Sequence, residues 1–192
     1  VPADAAPGDY KGTLALEAEG APAKISVPVE LKVHDWKVPE VKDFGQRYNL
    51  YQSPDTVAQY YSVPLWSEKH WALMGKSFEV LRQAGNSVCV LNLAVKVPSL
   101  NNTESMIRWV KKGEGQYDYD YSVAEKYMDL YEKTCGKPGI LELNIWGYAG
   151  KDEKPVPPLS VTVVDQDGKK LEDLVQPPYC TPENEAFWKP PL

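Results

Sequence analysis

Histidine and cysteine are scarce in this chain, with two of the former and three of the latter among 192 residues. Two histidines, His34 and His70, leave little room for a serine–histidine–aspartate triad or a histidine-based zinc site. No Ser/His/Asp arrangement of recognisable spacing and no glycine-rich phosphate loop is present. Gly113 and Gly115 belong to a turn and do not join a strand to a helix. Cys89, Cys135 and Cys180 are far apart and odd in number, so they give neither a disulfide framework nor a metal-ligand spacing. Cys89, inside an apolar run, reads as a buried free thiol. No apolar run approaches the ~18 residues that span a bilayer. Basic residues never cluster beyond a pair, and the net charge is −6 with a pI near 5.0. That balance argues against nucleic acid and against an anionic membrane surface as partners.

Proline and tryptophan are plentiful by contrast, at 17 and six residues. The prolines gather at Val38-Pro39, Pro155 to Pro158, Pro177-Pro178 and Pro190-Pro191, where they punctuate the chain. Between residues 25 and 34 apolar Ile25, Val27, Val29, Leu31 and Val33 alternate with mostly polar neighbours. Period-two alternation predicts a strand with one buried face. Leu14, Leu16 and Ala18 predict a strand before it, with Glu19-Gly20-Ala21-Pro22 as the turn. His34 continues the polar face. A lone hairpin is marginal in water, so its apolar face needs cover from elsewhere.

After Trp36 the period changes. Phe44 to Tyr51 reads as a strand, and Ser67 to Ala84 as a helix with Ser67 as N-cap and Gly85 as stop. Trp71, Met74, Phe78 and Leu81 give that helix its apolar stripe. Ser87 to Val95 reads as a buried parallel strand. A second helix is expected from Ser122 to about Cys135, with Ser122 and Glu125 as a capping box and Gly136 at its end. Ile140 to Trp146 reads as a third strand of the buried kind. Met106 to Tyr121 and Leu159 to Val175 read as two hairpin insertions, and Thr181 to Trp188 as the start of a third helix. This order is that of an α/β parallel sheet. Three parallel strands with open edges make a poor stopping place, so the chain reads as a segment unfinished at both ends.

Ligands of parallel sheets sit beyond the carboxyl ends of the strands, here Asn49 to Gln52, Ala94 to Val97 and Trp146 to Tyr148. Aromatic rings at such ends suit the C–H face of a sugar, which makes Tyr51, Trp146 and Tyr148 binding candidates; sheet capping is the plainer alternative. His70, beside Trp66 and Trp71, is suited either to meeting a ligand hydroxyl or to fastening its loop. Asp152-Glu153 is an adjacent acidic pair after the third strand. Its neighbours Lys151 and Lys154 and the prolines that follow favour an exposed charged turn, and it is a weak catalytic candidate. Asp118 and Asp120 alternate with tyrosines as on a polar strand face, and Asp165 and Asp167 suit a turn. Asn101-Asn102-Thr103 fits the N-glycosylation pattern, a motif too short to decide anything.

The stretch Tyr48-Asn49-Leu50-Tyr51-Gln52-Ser53-Pro54, followed by Val57 to Trp71 (VAQYYSVPLWSEKHW), resembles the start of the catalytic domain of glycoside hydrolase family 123. Asp118-Tyr119-Asp120-Tyr121-Ser122 before a helix, and Ile145-Trp146-Gly147-Tyr148 after a strand, are similar to it too. Pro7 to Gly12 and the alternating strand resemble the last hairpin of the β-sandwich that precedes such barrels. The resemblance implies residues 1–36 as the end of a sandwich and 37–192 as the first three strands of a (β/α)8-type barrel. It implies retaining hydrolysis of terminal β-linked N-acetylgalactosamine, assisted by the sugar's own acetamido group, without metal or organic cofactor. An aspartate–glutamate pair serves that chemistry from a later strand, so Asp152-Glu153 does not inherit its roles. Pocket-wall positions that carry over are Tyr51, Gln52, Trp66, His70 and Trp146. The partners implied are a carbohydrate and the remainder of a parent chain, in an extracellular or periplasmic setting. Two other readings use the same residues: a non-catalytic carbohydrate-binding or structural module, and an unrelated α/β enzyme.

Overall fold

Alternation near the N-terminus folds as a hairpin. Strand β1 (Gly8–Leu16) pairs antiparallel with β2 (Ile25–Val33), register Gly8 to Val33 and Leu16 to Ile25. Tyr10, Leu14, Leu16, Ile25, Val27, Val29 and Leu31 are all exposed. The expected buried face is therefore uncovered, because a two-stranded ribbon supplies only one layer of its own. The computed structural model describes residues 1–2, 4–20, 23–97, 100, 102–147 and 158–192. They form two units, Val1–Asp43 and Phe44–Leu192.

The second unit is mixed α/β. Helix α1 (Pro54–Tyr60) is capped by the Ser53 hydroxyl, which accepts from Thr56 N–H. This helix went unforeseen, because seven residues give too short a period to stand out. Helix α2 (Glu68–Gln83) starts at its expected cap, with the Ser67 hydroxyl accepting from His70 N–H. Strand β3 (Val88–Asn92) follows and is buried at every position. Strand β4 (Arg108–Gly113), β5 (Gln116–Asp120) and helix α3 (Ser122–Cys135) come next, then β6 (Ile140–Asn144), which pairs parallel with β3. Strands β7 (Ser160–Val164) and β8 (Lys170–Val175) and helix α4 (Pro182–Trp188) complete the unit.

Helices α2 and α3 bury their apolar stripes against β3. Phe78 of α2 meets the rings of Tyr127 and Tyr131 of α3 edge-on, at 5.2 and 5.4 Å between centroids. Met74, Cys89 and Leu91 share that core. Burial pushes the Cys89 thiol up to about 12, which keeps it protonated and unreactive. All three cysteines are free thiols.

Four sequence expectations need correction. First, Phe44–Tyr51 is no full strand; it makes a single parallel bridge, Tyr48 to Asn86, with Ser87 N–H donating to Tyr48 carbonyl at 3.0 Å. Beyond the bridge, the Asn86 side chain takes the place of a ladder and accepts from Leu50 N–H at 2.9 Å. Second, β6 ends at Asn144 and is not buried: Ile140, Leu141 and Leu143 are exposed. Its only described sheet partner is β3, so it forms an edge. Third, the two hairpins are not separate insertions but one four-stranded sheet, ordered β5-β4-β7-β8, in which β4 and β7 run parallel. Ser105 and Thr162 extend that pairing: each backbone N–H donates to the other's hydroxyl at 2.9 Å, and both residues are fully buried. Such long-range pairing leaves no local periodicity to read.

Fourth, the capping box is absent. Ser122 is the first residue of α3, and the Asp120 carboxylate accepts from its N–H at 2.9 Å. Asp120 also pairs with Arg108 across the hairpin. Burial alone would raise the Asp120 pKa, but the bonds from Ser122 and the Arg108 charge outweigh it and lower it below 3.8. The resulting stabilisation is complete above the ordinary carboxylate range and is lost as pH falls through the lower folded value. Asp120→Ala is expected to cost about 1–2 kcal/mol at neutral pH. In urea melts at decreasing pH, the gap to the unaltered protein should narrow.

Candidate functional site

Residues 93–97 follow β3 and residues 145–147 follow β6 at the carboxyl edge of the parallel pair, while residues 49–52, which follow the bridge from Tyr48 to Asn86, start at its amino end. Alternation along β6 puts Glu142 and Asn144 on one face and Leu141 and Leu143 on the other. Glu142 anchors a polar network on its face. Its carboxylate oxygens accept from Asn49 Nδ2 at 2.8 Å and from Tyr51 Oη at 3.0 Å. Asn144 Nδ2 donates to Asn92 Oδ1 of β3 at 3.3 Å, and Asn92 is buried. The Tyr51 ring is half exposed. Burial, then the hydrogen bond to Glu142 and its charge, raise the Tyr51 pKa, so the phenol stays protonated at neutral pH.

The sequence-derived wall positions divide among different roles. Tyr51 belongs to the network, and Trp146 stands at the end of β6 with 61% of its surface exposed. Gln52 is buried, and neither its amide nitrogen nor its amide oxygen has a partner among the described residues. It borders a small cavity of about 10 Å³, next to Asn86 and Tyr131. That volume suits at most one water, which would satisfy the amide. Trp66 adopts a left-handed backbone (φ 60°), stacks near Trp71 with 5.2 Å between centroids, and donates from Nε1 to Glu104 at 3.1 Å.

His70 is fully buried. Its Nδ1 accepts from Trp66 N–H at 3.0 Å, and its Nε2 lies 2.9 Å from Pro54 carbonyl, to which it donates. Those two bonds require the neutral Nε2–H tautomer. They leave neither ring nitrogen for a ligand and fasten the Pro54 and Trp66 backbones together. Burial lowers the His70 pKa, against the opposing pull of the Pro54 carbonyl and the Asp55 charge.

The loop after β3 is built with comparable care. Asn102 is buried and its side chain makes three bonds: it accepts from Val97 N–H and donates to the carbonyls of Ala94 and Glu104. Asp55 accepts from both the N–H and the hydroxyl of Thr103, at 2.8 and 2.6 Å. Tyr179 Oη accepts from Gly147 N–H and Leu159 N–H, which brings residues on either side of 148–158 to one phenol. Tyr148, Asp152 and Glu153 lie outside the described residues, as does Asn101 of the glycosylation motif. Among the described residues no cluster suits a metal ion, and no helix is long and apolar enough to cross a membrane.

Asn49 stood in an expected ligand-binding segment without being singled out, and Asn92, Glu142 and Asn144 escaped the sequence reading. One signal was available: in ILELNIW the even positions Glu142 and Asn144 interrupt the apolar odd ones. That pattern marks a strand with one polar face rather than a strand buried on both.

Comparison with known proteins converges on one family. The family model described as glycoside hydrolase 123, catalytic domain, matches residues 51–192. A solved family 123 glycoside hydrolase from Clostridium perfringens, studied for glycolipid glycan hydrolysis, is similar in fold, with a TM-score of 0.73 at 20% sequence identity. The match covers 98% of this chain and 33% of that one, so this chain spans about a third of that protein's length. No curated protein matches the chain.

Replacing His70 tests the fastening. His70→Phe strands the Trp66 N–H and the Pro54 carbonyl, and is expected to cost about 2–4 kcal/mol in denaturant melts. Because the folded pKa lies below the ordinary 6.5, the stability that neutral His70 contributes is present above 6.5 and is lost as pH falls toward the folded value. That acid-linked loss should be missing from His70→Phe.

Proposed function

The chain belongs to glycoside hydrolase family 123, and from that premise we propose that its parent protein removes terminal β-linked N-acetylhexosamine, of the N-acetylgalactosamine type, from glycans. In this reading residues 37–192 open a (β/α)8-type barrel, and residues 1–36 end a β-sandwich whose other strands cover the exposed hairpin face. The exposed apolar residues of β6 accord with a further barrel strand pairing at that edge. The observation that supports the proposal is the polar network on the β6 face, where Tyr51 and Asn49 meet Glu142, together with the exposed Trp146 that follows the strand. An indole face packs on the C–H face of a pyranose, while phenol and amide groups meet its hydroxyls.

The chemistry is substrate-assisted, one of the exceptions to the two-carboxylate scheme. The acetamido oxygen attacks the anomeric carbon while the bond to the leaving oxygen breaks. A glutamic acid gives its proton to that oxygen, and an aspartate orients the acetamido group. Water then opens the cyclic intermediate with net retention. We assign the acid pair to the parent chain outside these 192 residues, which supply wall rather than acid. The carbohydrate and the rest of the parent chain are the partners, and an extracellular or periplasmic setting suits a glycan substrate.

The full-length protein should hydrolyse nitrophenyl β-N-acetylgalactosaminide, with the β-anomer as first product by NMR. An N-trifluoroacetyl analogue, whose carbonyl oxygen is a poorer nucleophile, should react far more slowly. Trp146→Ala should raise KM about fivefold, the equivalent of about 1 kcal/mol of lost ring contact. Residues 1–192 by themselves should show no turnover. Sugar binding by the full-length protein without any hydrolysis would favour a carbohydrate-binding module instead.

A further inference from the structure

Asp55 is a carboxylate that the fold buries without using both of its oxygens. It belongs to α1 and is 4% exposed. Its Oδ1 accepts from the N–H and the hydroxyl of Thr103, while its Oδ2 is buried and has no partner among the described residues. A buried acceptor left in that state is costly, and native structures satisfy such atoms with water or a ligand. His70 lies close enough to feel the Asp55 charge, but both of its ring nitrogens are committed to Trp66 and Pro54. Lys170 Nζ is engaged nearby by the Thr103 carbonyl, at 2.9 Å, and by Asp173.

Asp55 lines a cleft of about 290 Å³ between α1, the turn after it and the connection that leaves the carboxyl end of β3. Gln59, Ser62 and Thr103 put polar, exposed residues on its wall, and Ala58 and Leu65 give it an apolar side. The turn is firmly closed. Ser62 N–H donates to Gln59 carbonyl at 3.1 Å and Val63 N–H to Ala58 carbonyl at 3.0 Å, a helix ending whose left-handed position glycine usually takes. Here Ser62 takes it, at φ 51°, so the cleft gains a hydroxyl-bearing residue where the backbone favours glycine. A single carboxylate falls short of the oxygen set that a calcium-type cation needs, and among the described residues no cluster suits a metal. The volume is near the low end for small-ligand sites and suits one ring rather than a chain.

We propose that this cleft holds one neutral sugar unit, with a ring hydroxyl donating to Asp55 Oδ2 and the Gln59 and Ser62 side chains meeting its other hydroxyls. The C–H face of the ring then lies toward Ala58 and Leu65. Its place beyond the carboxyl end of β3 is where parallel strands take their ligands. The class of ligand rests on the glycan reading above; the location rests on the cleft and the unpartnered oxygen.

The test uses the full-length protein with 13C-labelled alanine and leucine methyls, so that Ala58 and Leu65 report from the cleft itself. N-acetylgalactosamine and galactose should each shift both signals saturably. Asp55→Asn keeps an oxygen for Thr103 and replaces the other by an amide nitrogen, which should weaken that binding about tenfold. The double variant Gln59→Ala/Ser62→Gly changes only exposed positions, so it tests the same cleft even where Asp55→Asn fails to fold. It should weaken binding about fivefold. Methyl signals that neither sugar moves, as water alone in the cleft would give, overturn the proposal. So do shifts produced by ethylammonium or calcium ions but by neither sugar, and so does a sugar affinity unchanged in either variant. Hydrolysis of nitrophenyl β-N-acetylgalactosaminide beside a silent cleft would sink this site and leave the proposed activity standing. Sugar binding in the cleft without hydrolysis would do the reverse.

Discussion

Five consecutive buried residues in β3 require cover on both of its faces at once, and the second unit is arranged to provide it. On one side α2 and α3 bring Met74, Phe78, Tyr127 and Tyr131 against Cys89 and Leu91. On the other face, Asn92 is buried and bonded to Asn144 of β6. A buried amide needs a partner, and here the partner is a second amide on the neighbouring strand. The strand's carboxyl end is tied as firmly: Asn92 carbonyl accepts from Met106 N–H, and Asn144 carbonyl accepts from both Leu93 and Ala94. Loops leaving such an end inherit its position. That is why the connection through Asn102 can hold Glu104 against Trp66 and Thr103 against Asp55.

The same strand array accounts for the kind of chemistry brought together. Asn49 and Tyr51 meet on the Glu142 carboxylate, and Asn144 meets Asn92. The polar face of β6 and its exposed apolar edge belong to one logic. A strand that turns polar side chains toward a site on one face still needs a packing partner for the other.

Strength in this structure is concentrated where side chains replace backbone ladders. Asn86 accepts from Leu50 in place of a strand, and Asp120 caps α3 in place of the serine beside it. Ser105 and Thr162 bond each other's backbones where two hairpins meet, and Gln176 joins Ile145, Asn184 and Trp188. Each of these joins elements that the chain leaves far apart or leaves without a regular partner.

What the sequence determined by itself was local. Period-two alternation specified the hairpin, and cap, stripe and stop specified α2, because those signals lie within a few residues of one another. The apolar run around Leu91 marked a buried strand for the same reason. The family, too, was legible, since motifs such as Tyr48 to Pro54 and Val57 to Trp71 are contiguous. Tertiary structure alone decided the rest. It merged two hairpins into one sheet through the β4–β7 pairing and reduced Phe44–Tyr51 to one bridge. It turned His70 inward onto two backbone groups, and it brought Glu142 to Asn49 and Tyr51. Each of these depends on partners tens of residues away, and hydrogen bonds made across such distances leave no periodicity in the chain that makes them.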